Sequence, residues 1–186
     1  MSAEQRDQLV DDIVETQPAL GVFVRRMPSD LMAGSWDLLA YSFQQAFEVL
    51  WDHARSDISG LLVRPLLLLW RQSVELAIKS AITELAAGVE PRPSHDIKDL
   101  FAQLLKERAA AGYCDDDDLA QNVVAMVALV QRFDPSGDRF RYPTRKGKPF
   151  EGIDVDLDQL FQAHWIITTW CEGAVMEIKE TRFADY

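Results

Sequence analysis

LLVRPLLLLWRQSVELAIKSAITELAA, residues 61–87, is the stretch on which the reading of the fold turns. Eight of its first ten residues are apolar, which raises the choice between a membrane span and a buried helix. Arg64 and Pro65 interrupt the run and charge returns at Arg71. A bilayer needs about 20 consecutive apolar residues, so the segment is too short to span one. It reads as a core helix. Pro65 falls in its first turn or two, where a missing N–H costs little. Gly88 supplies a C-terminal stop.

Outward from this helix the pattern stays helical. Residues 2–15 place Leu9, Val10, Ile13 and Val14 on a short amphipathic helix, and Pro18, Gly21 and Pro28 then punctuate an irregular passage. Ser35 is a good N-cap for a helix over 35–55, with Trp36, Leu39, Ala40, Phe43, Phe47, Leu50 and Trp51 at helical spacing. A third strong helix over 96–110 buries Ile97, Leu100, Phe101, Leu104 and Leu105, and Gly112 ends it. A fourth runs over 116–133. Its opening carboxylates, Asp115 to Asp118, suit the positive end of a helix dipole. They lack the alternating oxygens, central Gly and terminal Glu of a calcium loop. Residues 134–153 form a long polar loop rich in Pro and Gly, and Asp156 caps a last helix over 157–181. Strand-like alternation is nearly absent. The expectation is an all-α, single-domain bundle of four to five main helices over 1–186, with residues 1–34 as an N-terminal extension and a long basic loop before the last helix.

The composition agrees: 48% hydrophobic and 26% charged in 186 residues is ordinary for one globular domain. A net charge of −11 argues against nonspecific binding to nucleic acid or anionic membrane, while leaving room for a local basic site. Cys114 and Cys171 have no metal-type spacing and read as reduced thiols, Cys171 in the core. The polar, acidic start MSAEQRDQLVDD has no signal-peptide pattern. A cytoplasmic protein with no membrane association and no cofactor is expected.

Three histidines are present. His164 lies between Phe161 and Trp165 on the face continued by Thr168, Cys171 and Val175, and reads as a core residue. His53 sits at a helix end, where a cation or donor suits the last carbonyls. No HxxxH or HExxH pair exists, so no metal site is expected. His95 is different, because RPSHDIKDLF, residues 92–101, brings it to the start of a helix directly after the long apolar one. That apolar helix carries Arg71, Glu75 and Lys79 four residues apart, hence on one face. Two arrangements stay open: a solvated face stitched by weak ion pairs, or a stripe that faces His95 and Asp96 across the turn over 88–94.

The loop DRFRYPTRKGKPF, residues 138–150, adds Arg139, Arg141, Arg145, Lys146 and Lys148 with no acid between 139 and 148. Arg forks match phosphate geometry, and Phe140, Tyr142 and Phe150 offer rings on which bases stack. The competing reading is a surface loop whose cations pair with the acidic body of the protein or with a partner.

The order SVELAIKSAI, then SHDIKDLF, then FRYP resembles the helical HEPN superfamily over residues 60–180. More narrowly, it resembles bacterial members with an E-L-x-x-K helix followed by an H-D-L-like helix start. The resemblance implies a helical bundle that commonly dimerises, in proteins tied to RNA cleavage, toxin–antitoxin pairs or phage defence. Catalytic members carry R-x4-6-H, and no histidine of this chain has an arginine at that spacing: Arg92 precedes His95 by only three positions. A noncatalytic member is therefore implied. Three hypotheses follow. The first is a pocket for a nucleotide, RNA end or other phosphate-bearing ligand, built from Glu75, Lys79, His95, Asp96, Arg139 and Arg141. The second is a homodimeric or antitoxin-like interaction module, pairing with itself or a partner protein and taking no small-molecule ligand, in which the same polar residues form an interior network that fixes helix register. The third is a divergent metal-independent ribonuclease in which His95 acts as base and Arg141 or Arg139 stabilises the phosphorane charge.

Overall fold

The computed structural model describes residues 35–85, 89–150, 152 and 154–184. The helix expected over 2–15 and the extension over 1–34 lie outside the described residues. Five helices follow: α1 (Trp36–Ala54), α2 (Val63–Leu85), α3 (Ile97–Ala110), α4 (Asp118–Phe133) and α5 (Leu157–Ala184). The architecture is an all-α bundle, as the periodicity predicts.

α2 is its axis. α1, α3 and α5 all pack on it, so both of its flanks are covered. Leu66, Val74, Ile78 and Ile82 are fully buried, joined by Phe47 from α1, Leu100 and Leu104 from α3, Val123 and Val127 from α4, and Ile167 from α5. Each such aliphatic side chain contributes on the order of 1.5–3 kcal/mol by leaving water. Pro65 is the third residue of α2, within the first turn.

Local chemistry sets the helix ends. Asp57 shapes the turn before α2: its carboxylate accepts from the Ser59 N–H at 3.0 Å and the Leu62 N–H at 3.3 Å, and Gly60 takes φ +68°. Asp96 caps α3 by accepting from Asp99 N–H at 3.0 Å, and Asp117 caps α4 from Ala120 N–H at 2.8 Å. Asp156 accepts from both Asp158 and Gln159 N–H at 3.0 Å at the start of α5. Trp51 ties α1 to that start, its indole donating to the Leu157 carbonyl at 2.8 Å.

The 134–150 passage is more ordered than a plain loop. It contains an antiparallel ribbon, β1 (Thr144–Arg145) with β2 (Lys148–Pro149), turned by Lys146 and Gly147 at φ +50° and +77°. Two successive positive φ values are what a two-residue hairpin turn needs, and Gly at the second position meets the requirement without strain. No helix among the described residues is long and apolar enough to cross a membrane.

Candidate functional site

The polar stripe of α2 lies inside the protein. Arg71, Glu75 and Lys79 are 3%, 2% and 9% exposed, so the solvated-face arrangement does not occur. Glu75 is the hub. Its Oε2 accepts from Arg71 Nη1 at 3.1 Å, and its Oε1 accepts from Lys79 Nζ at 2.8 Å and from His95 Nδ1 at 3.0 Å. Arg71 Nη2 donates to the His95 carbonyl. Burial pushes the Glu75 carboxyl up, but the hydrogen bonds and charges of Lys79, His95 and Arg71 together hold it below the ordinary glutamate range. Burial lowers the Arg71 guanidinium below its usual value against the pull of Glu75 and Asp134.

An ionised carboxylate only accepts hydrogen bonds, so the Nδ1 of His95 carries a proton. The imidazole is thus held by one edge, while the side chain stays 63% exposed and presents Nε2 outward. The turn over 134–138 closes against it: a Cβ on Gly137 would approach the His95 Cβ to 3.9 Å, and Gly137 takes φ +71°. Asp134, at the base of this turn, is fully buried and accepts from the Arg139 backbone N–H at 3.0 Å. Asp134 Oδ2 and Arg71 Nε are both buried and, among the described residues, have no hydrogen-bond partner. A donor and an acceptor of opposite charge thus stand unmatched in one cluster.

The other expected site residues divide. Arg141 reaches the edge of the cluster: its Nη2 lies 3.4 Å from the Oε1 of Gln72, and its charge opposes that of Arg71. Lys79 is spent on Glu75 and does not reach the surface as a phosphate donor. Asp96 turns away to cap α3. Arg139 Nη1 donates to the Phe133 carbonyl at 2.9 Å, and Arg139 lines a separate cavity of about 220 Å³ with Arg64, Phe140 and Phe150. Arg64, which donates to the Tyr142 carbonyl at 2.7 Å, has no local sequence signal, because its partner lies 78 residues on.

A second ionic cluster also escapes sequence reasoning. Arg108, 5% exposed, grips Asp115 through Nε and Nη2 at 2.7–3.0 Å, donates to Glu177 at 2.9 Å and to the Ala174 carbonyl at 3.0 Å, and lies over Tyr113 and Trp170. Asp115 therefore serves Arg108 rather than the α4 cap. His164 is a core residue, 1% exposed, with Nε2 2.9 Å from Ser73 Oγ and its ring 4.2 Å from Phe47. Cys171 is buried and Cys114 exposed. Among the described residues no group of His, Cys, Asp or Glu could hold a metal ion.

The fold and site thus define an all-α bundle with a buried three-residue ionic cluster opening on one exposed histidine. Comparison of the chain with protein-family models, with curated proteins and with solved structures finds no match in any of the three.

Proposed function

We propose that this is a HEPN-like helical protein that binds a phosphate-bearing ligand, a nucleotide or RNA end, at the His95–Arg141 edge. The observation that supports this reading is the pairing of a buried Glu75 with an exposed, edge-held His95, in a cluster whose Arg71 feels the charge of Arg141. Arg141 supplies a planar donor fork, and His95, in its doubly protonated form, an Nε2–H donor whose orientation is prepared in advance. Glu75, Arg71 and Lys79 hold the imidazole from behind, and Asp96 holds its helix start. Lys146 and Lys148 add positive charge on the hairpin, while Arg139 and Arg64 line a separate cavity.

The test is binding of a 5′-phosphorylated RNA oligonucleotide and of its unphosphorylated twin by the intact chain. A charge-assisted hydrogen bond contributes about 1.5–3 kcal/mol, so His95→Ala and Arg141→Ala should each weaken binding of the phosphorylated probe by about tenfold or more. The two losses should not add: coupling above about 0.5 kcal/mol marks a shared site. The fold should survive His95→Ala, because Arg71 holds the backbone carbonyl at that position. Equal binding of both probes, or strict additivity, removes the proposal.

The Glu75–His95 pair also favours a second reading, a metal-independent ribonuclease, since a carboxylate behind an imidazole is how a general base is oriented. RNA cleavage in EDTA that leaves a cyclic phosphate, lost in His95→Ala, would establish it. Homodimerisation belongs to the same proposal, motivated by Leu38, Tyr41 and Val49 standing exposed on α1. Sedimentation at micromolar concentration should give twice the 21.1 kDa chain mass, and a monomer throughout the range would exclude it.

A further inference from the structure

α4 and α5 run antiparallel, and the junction between them is lined by uncharged side chains for most of its length. α4 carries no charged residue from Leu119 to Gln131. α5 carries none from Gln159 to Cys171 apart from the buried His164, which burial keeps neutral with a pKa lowered to about 4. In a chain with 19 basic and 30 acidic residues, two adjacent charge-free helix stretches of this length are not a solvated surface pattern. Leu119, Met126, Leu129 and Phe133 recur on α4 at spacings of seven, three and four, which places them on one stripe. Leu119 is 57% exposed, Leu129 49%, Phe133 43%, and Trp165 on α5 55%.

Two cavities lie along this junction. One, of about 540 Å³, is bounded by Leu119, Trp165, Ile166 and Trp170; the other, of about 300 Å³, by Met126, Leu129, Phe133 and Ala163. Carboxylates stand at both ends. Asp115, Asp117 and Glu177 line the first cavity, and Asp154 and Asp156 line the second. Among the described residues Asp115 and Glu177 are matched by a cation, and they share one, Arg108, while Asp117 and Asp156 cap helices and keep their charge.

We infer that the α4–α5 groove receives an amphipathic helix of a partner protein, apolar along its inward stripe and basic at both ends. The groove from Leu119 to Phe133 spans about 21 Å at 1.5 Å per residue, or roughly four helical turns. An apolar groove of that length is matched by a helix with anchors at i, i+3 or i+4 and i+7. Trp165 and Phe133 are the residue types that dominate such interfaces. The charge pattern selects the partner. A second copy of this chain is the poorer occupant, because either two-fold pairing of the groove sets carboxylates against carboxylates at its rims. Lys or Arg at both ends of the incoming helix meets those carboxylates instead. The inference is independent of the phosphate site, which lies at the His95 edge of α2.

The test uses three labelled helical peptides of four turns with the full chain: a leucine stripe with lysine ends, the same stripe with glutamate ends, and lysine ends with alanine in place of the stripe. The first should bind. The other two should bind at least about tenfold more weakly. Leu129→Glu and Trp165→Glu replace exposed residues, so each should leave the melting temperature near that of the parent while weakening the first peptide about tenfold or more. Equal binding of the alanine-stripe peptide would reduce the effect to net charge, and equal binding of the glutamate-ended peptide would remove the rim argument. A chain dimer that both variants dissociate would give the groove to a second copy. Any of these three results overturns the proposal.

Discussion

Glu75→Gln should lower stability by about 3–5 kcal/mol, the cost of leaving buried charges without their counter-ion. The substitution keeps the side-chain volume, so no cavity contributes. What changes is charge: Arg71 and Lys79, 3% and 9% exposed, both lose the carboxylate they share with His95, and one of its two accepting oxygens becomes an NH2 donor. Urea denaturation followed by tryptophan fluorescence should show a lower midpoint with an unchanged slope. A loss below about 1 kcal/mol would mean that water reaches the cluster and screens it. Replacing all three together, Arg71→Met with Glu75→Leu and Lys79→Met, should bring stability back close to the parent, since a buried ion network seldom outperforms packed apolar groups. That triple variant separates two roles. If the network only holds the helices, nothing else is lost. If it orients His95, binding of the phosphorylated probe falls although the fold is intact.

Acid should destabilise the protein through His164 before carboxylate protonation begins. Burial lowers its pKa from 6.5 to about 4, so the native state holds the imidazole neutral, wedged between Ser73 and Phe47. Between those two values the unfolded chain binds a proton that the folded chain refuses. Stability is therefore complete above pH 6.5 and falls as pH drops towards 4, by up to about 3 kcal/mol for a shift of this size. Glu75 works in the adjoining window: its depressed carboxyl contributes fully above the ordinary glutamate value of 4.5 and is lost as pH falls through the lowered value. His164→Gln cannot titrate, so its stability relative to the parent should improve by about 3 kcal/mol between pH 7 and pH 4. A constant difference across that range would show that His164 titrates normally. His164→Ala at pH 7 should cost on the order of 1–3 kcal/mol through cavity formation and the lost hydrogen bond.

The helices were legible because their determinants are local. Apolar residues at i, i+3 and i+4 mark the buried faces of α1 to α5. Asp96, Asp117 and Asp156 are capped within three residues of themselves, and Pro65 and Gly112 act on their own turn. The burial of His164 and Cys171 follows from the same periodicity. The hairpin was missed because Lys146–Gly147 turns only two residues on each side, too few to show alternation. The candidate site was half legible: spacing placed Arg71, Glu75 and Lys79 on one face of a helix.

Whether that face met water or protein was beyond reach of spacing, since a four-residue repeat of charges looks the same in both settings. Tertiary packing decided it, by covering α2 on both flanks and closing the 134–138 turn over His95. It also decided which carboxylate each cation meets: Glu75 with His95 across 20 residues, Arg108 with Glu177 across 69. It turned Arg139 to a separate cavity. The physical reason is reach. Helix periodicity and capping act over one turn of backbone, whereas a buried ion pair joins whichever side chains the crossing of two helices brings within about 3 Å, and no property of either segment alone specifies that crossing.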